Sequence, residues 1–133
     1  ATNTRGFIAL ISAIVVSFVL LIAVVSLGML GIAGRYLLLD IEYKNTSYAA
    51  AESCVAVATL EVAKDPLYAV SNLPVAVGDE SCTILSVTSN TPMSGQSSIK
   101  TSAVVNRATT YLSVVIDSGT TAVVSWAETE DAP

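Results

Sequence analysis

Residues 6–39 read GFIALISAIVVSFVLLIAVVSLGMLGIAGRYLLL, and Arg35 is the only charge among them. Between Arg5 and Arg35 every position is uncharged, and Ile, Val, Leu, Ala and Phe dominate. A helix over positions 6–34 extends roughly 44 Å, more than the ~30 Å hydrocarbon core of a bilayer needs. A small soluble domain has too little apolar surface to cover such a helix on all sides. The segment therefore meets lipid or other copies of itself, and that alternative governs the functional reading.

The rest of the chain is different in kind. Of 133 residues, those from Arg35 onward suffice for one modest domain. They carry all eleven acids and five of the six bases, a net of 5 − 11 = −6. Such a balance argues against a general phosphate-binding surface, and no nucleic-acid partner is expected for the single subunit. The absence of His removes the commonest general base and the commonest metal ligand. Cys54 and Cys82, in a domain that follows an export-type segment, are most simply a disulfide; the alternative is two buried thiols. With two cysteines and no His, no zinc site is expected.

Three readings compete for the N-terminus. A secretory signal has an apolar core of about 7–15 residues, roughly half the length found here. A membrane anchor fits the length, but Arg5 and Arg35 bracket it symmetrically and give no orientation. The third reading comes from resemblance. Arg5-Gly6-Phe7, followed at once by the apolar helix, resembles the cleavage junction of type IV pilins and pseudopilins. Tyr48-Ala49-Ala50-Ala51-Glu52-Ser53-Cys54 is similar to the Ala-Ala-Glu block of certain minor pilins, and Ser125-Trp126-Ala127-Glu128 to a Trp-containing last strand. The resemblance implies a prepilin peptidase that cuts after Gly6, methylation of Phe7, and a lollipop-shaped subunit. It also implies a membrane-lodged pool that an assembly machinery packs into a filament. Ile11 departs from the pattern: many major pilins carry Glu at that position to pair with a neighbour's terminal amine. A cut after Gly6 would remove residues 1–6, so the chain as given is either unprocessed or matured elsewhere, such as just before Ala1.

Gly28, Gly31 and Gly34 recur every third residue near the end of the apolar run. Each costs roughly 1 kcal/mol relative to Ala in a helix. They imply either close helix approach in a membrane or a stretch that loses helical hydrogen bonds on filament packing.

Residues 35–64 continue the helix as an amphipathic half, with Leu37, Leu38, Ile41, Tyr48, Val55 and Val62 near helical spacing. Asp65-Pro66 terminates it. A connecting loop is expected over 65–80, punctuated by Pro74 and Gly78. An antiparallel sheet follows over 81–127, where the apolar period becomes two. Its four strands centre on Cys82–Val87, Ile99–Val105, Tyr111–Ile116 and Thr121–Trp126. Asn90–Gly95 and Asp117–Thr120 supply turns. Residues 128–133 form an acidic tail. The fold class is α+β, a long helix whose amphipathic half packs on a small sheet of about four strands.

Candidate chemistry is sparse. Asp79-Glu80 and Glu128–Asp131 are the densest acid groups, a cation site in one reading and solvated surface in the other. Asn45-Thr46-Ser47 matches a glycosylation acceptor but lies on the helix. Without His, a hydroxyl nucleophile needs a Lys base, and no Ser-x-x-Lys spacing is expected. No catalytic residue, cofactor or metal is assigned, and the chain is not read as an enzyme. The expected role is a structural subunit of a bacterial extracellular filament with adhesive, motility or DNA-uptake functions, built on a helical homopolymer. Its assembly core comprises Phe7, Ile8, Ile11, Ile14, Val15, Phe18, Leu21 and Ile22. The alternatives are a non-polymerising single-pass membrane-anchored binding domain, and a minor or tip pilin.

Overall fold

A computed structural model describes residues 4–130, with side chains from Gly6. Residues 1–3 of the leader-like segment and 131–133 of the acidic tail lie outside the described residues. The chain divides into two units, Ala1–Leu39 and Asp40–Pro133. Helix α1 runs Thr4–Lys64. It begins before Phe7, so the Gly6-Phe7 junction lies within helix. It ends where Asp65-Pro66 requires: Asp65 N–H donates to Glu61 O, and Asp65 O accepts from Tyr68 N–H in a tight turn.

The second unit places α1 from Asp40 onward against five strands. These are β1 Val70–Val77, β2 Glu80–Ser89, β3 Gln96–Val105, β4 Ala108–Asp117 and β5 Val123–Thr129. All neighbours pair antiparallel in the order β1-β2-β3-β4-β5, a simple meander.

The sheet has one strand more than the sequence suggests, because β1 occupies the expected 65–80 loop. Leu73, Val75 and Val77 alternate as strand residues do, but Pro74 and Gly78 read as loop punctuation. Pro74 is tolerated because β1 is an edge strand, where a missing N–H need not break a ladder on both sides. Gly78, at φ 62°, turns the chain into β2. At the other edge β5 extends through Thr129, so Glu128, expected at the start of the tail, pairs within the sheet opposite Leu112.

The core is one layer between helix and sheet. Ala50, Ala51, Cys54, Val55, Ala58 and Val62 recur at helical spacing and bury against Ile84, Val87, Ile99, Ala103, Leu112, Val114 and Ile116. Three alanines thin the helix and let its backbone approach the sheet. The approach is close enough for hydroxyls to bridge the layers. Ser47 Oγ donates to Ala103 O at 2.9 Å, and Thr101 Oγ1 donates to Ala51 O at 3.1 Å. A register shift between Ile84 and Ser86 keeps both Ile84 and Val87 on the core face despite their odd spacing. No buried side-chain N or O among the described residues is left unpaired.

A disulfide joins Cys54 on α1 to Cys82 on β2, with Cα atoms 6.1 Å apart across a sequence separation of 28. Both cysteines are buried in the same layer. Replacing the pair by serine should cost about 3 kcal/mol in the chain-entropy description. A thermal melt of the detergent-solubilised chain, with and without reductant, measures this. Unchanged melting would mean the bridge constrains nothing.

The β4–β5 turn carries a second, smaller device. Asp117 Oδ1 accepts from the N–H groups of Gly119 and Thr120 and from the Thr120 hydroxyl. Chiefly the Thr120 bonds hold its pKa below the ordinary 3.8. A depressed folded pKa contributes stability above the ordinary carboxylate range that is lost as pH falls through the folded value. Asp117→Asn should flatten that acid limb in melts taken across the range, while leaving the neutral-pH fold intact.

Candidate assembly interface

The first unit is an apolar stretch of α1 whose residues from Gly6 to Leu39 are all exposed. Phe7, Ile8, Ile11, Ile14, Val15, Phe18, Leu21 and Ile22 range from 44% exposed at Ile11 to 66% at Ile8. Covering these eight is worth on the order of 10 kcal/mol. The helix is long and apolar enough to cross a membrane, and none of its most apolar window is buried. Among its few polar groups, Ser26 makes little demand on a partner, since its Oγ donates back to Ile22 O at 2.8 Å. Leu10, Ala13, Ile14, Ser17, Phe18 and Leu21 line a shallow apolar groove along one face.

Gly28, Gly31 and Gly34 sit in unbroken helix, and a Cβ added at any of them meets nothing within 4 Å beyond its chain neighbours and the local helix backbone. No contact inside the single chain explains them. Their spacing leaves a thin surface for whatever lies alongside.

In the second unit, polar clusters serve the fold. Lys44 Nζ donates to Thr109 O at 2.9 Å and Thr110 Oγ1 at 3.0 Å, and it pairs with the Glu128 carboxylate. The ion pair is half-exposed and adds under about 1 kcal/mol, but it fastens α1 to β4 and β5. Ser47 of the Asn45-Thr46-Ser47 triplet is fully buried and bonded to Ala103 and Thr110. Its hydroxyl is thus committed to helix–sheet packing, away from any glycosylation chemistry. No three His, Cys, Asp or Glu side chains converge among the described residues.

The sequence does contain a Ser-x-x-Lys spacing, contrary to expectation, at Ser97-Ser98-Ile99-Lys100. In β3 it makes no dyad. Residues three apart on a strand point to opposite faces, and the Ser97 hydroxyl is buried against Ser118 Oγ at 2.8 Å.

The sequence alone leaves Trp126 as either core or intersubunit contact. On β5 it faces the helix, its Nε1–H donating to Tyr48 OH at 3.0 Å, and it stays 38% exposed. It belongs to an apolar groove with Ala56 and Leu60 of α1 and Val123 of β5.

These features define a class: an α+β domain on a single apolar helix of membrane-spanning length. Comparison with family models, with curated proteins and with solved structures finds no match.

Two kinds of substitution probe the helix. Ile14→Lys should cost about 3 kcal/mol of bilayer insertion and move the chain toward the soluble fraction on alkaline extraction. Gly28→Ala, Gly31→Ala and Gly34→Ala should each strengthen the isolated helix by roughly 1 kcal/mol. Amide exchange in micelles reads that gain.

Proposed function

We propose that this chain is a structural subunit of a type IV pilus-like extracellular filament, polymerising through its apolar N-terminal helix. The observation that carries the reading is an apolar helix with no face covered by its own chain. A membrane covers such a helix before assembly, and a bundle of identical helices restores burial after it. Heterologous contacts that do not close give an open helical polymer. The Arg5-Gly6-Phe7 junction and the Ala50-Ala51-Glu52 block support the pilin-like reading in particular.

In this proposal the partners are other copies of the chain, the inner membrane of a bacterial cell, a prepilin peptidase and an assembly machinery. The sheet domain faces outward and carries adhesive, motility or DNA-uptake roles of the filament. The chain itself is not a catalyst, and the single subunit offers no nucleic-acid site. With Ile11 in place of an acid, the terminal amine is neutralised in some other way or left to solvent. The length of the apolar helix equally supports a second reading, a single-pass anchored binding domain that never polymerises.

Negative-stain microscopy of shear fractions from the native cells separates the two, with filaments containing this chain expected. Intact mass of the surface form should show loss of residues 1–6 and one added methyl group. A chain found only in membranes, with an unmethylated terminus, would favour the anchored domain.

A further inference from the structure

We propose that the groove between α1 and β5 receives the apolar helix of a second copy of this chain, Glu52 of one copy pairing with Arg35 of the next. The inference rests on the filament reading and names a specific contact within it.

The helix–sheet sandwich is closed on one side and open on the other. Toward β1, Tyr68, Val70, Val75 and Val77 pack onto the core and seal the layer. Toward β5 a groove of about 420 Å3 remains, where Leu60 is 57% exposed and Val123 58%. The indole N–H of Trp126 is already bonded to Tyr48, so the ring offers the groove an apolar surface with no polar demand. Glu52 is the one charged residue lining it.

The stem of the same chain supplies the complement. Ile32, Arg35, Tyr36 and Leu39 fall at i, i+3, i+4 and i+7 and share one face. Arg35 is the sole charge from Gly6 to Leu39. Among the described residues the ion pairs are Lys44–Glu128 and Lys64–Glu61, so neither Arg35 nor Glu52 has an ionic partner. An apolar face with a single cation thus meets an apolar groove with a single anion.

The two residues lie several turns apart on α1, so the pair forms between copies. A guanidinium drawn into a bundle of apolar helices without a carboxylate would be strongly unfavourable, which gives Arg35 a reason to seek one. Groove and stem face are different surfaces, so the contact is heterologous and propagates.

The test uses the full-length chain in its native cells. Tyr36→Cys and Ala56→Cys together, with a short bifunctional maleimide, should yield a ladder of linked subunits, while each single variant yields none. The native cysteines are occupied by their bridge. Val15→Cys with Ile22→Cys reports stem-to-stem packing independently. A ladder from the stem pair alone overturns the groove contact and leaves the filament reading standing. No ladder from either overturns both.

Charge provides the second arm. Glu52→Arg should lower sheared filament yield about tenfold, and adding Arg35→Glu should restore most of it. Loss without rescue overturns the pairing. Retention of the Cys54–Cys82 bridge and of the melting temperature shows that each variant is folded. If the Ala56→Cys variant is recovered linked through its new thiol to a peptide or another protein in place of this chain, the groove belongs to that partner and the proposal fails.

Discussion

Everything in this chain turns on an apolar helix that its own domain cannot cover. From Gly6 to Leu39 no side chain is buried, and the run contains one charge. Water is the wrong solvent for such a surface, and the free energy at stake far exceeds the marginal stability of a domain of about 100 residues. A bilayer and a bundle of like helices are the two environments that meet the demand. The proposed function uses both, in sequence.

The domain obeys the opposite rule and satisfies itself internally. Its helix is thinned by Ala50, Ala51 and Ala58, which brings backbone close enough for Ser47 and Thr101 to bond across the layer. The Cys54–Cys82 bridge and the Lys44 contacts to β4 and β5 fasten the same helix at separate points. Each contact is modest alone, but all resist sliding or rotation of α1 on the sheet. With that multiplicity, no single bond has to hold the register of helix on sheet.

The features most legible in the sequence were those set by strong local rules. The apolar run, the stop at Asp65-Pro66, the disulfide and the period-two strands all follow from residue type and spacing. β1 was hidden because Pro74 and Gly78 signal a loop, and only its edge position makes Pro74 acceptable. The extension of β5 to Thr129 was hidden because Glu128 looks like a tail residue until Lys44, far away in sequence, is seen to hold it. The groove was least legible of all. It depends on the helix lying over the middle of the sheet and leaving Val123 and part of Trp126 exposed, a tertiary fact with no local signature.

The three glycines bear on what surrounds the helix. A residue that costs roughly 1 kcal/mol of helix stability at each of three positions needs a compensating contact, and the chain supplies none within 4 Å. Lipid tails are fluid and gain little from a thin helix, whereas a neighbouring helix gains close packing. Ser12, Ser17 and Ser26 do not demand a protein partner in the same way, since a helical Ser can bond its own backbone, as Ser26 does. In the proposed filament, the glycines would let a neighbouring helix approach closely. They lie immediately before Arg35, the residue proposed to enter the groove of the next copy. Close approach at Gly28–Gly34 and ionic pairing at Arg35 would then fix the spacing and the rotation of adjacent subunits together.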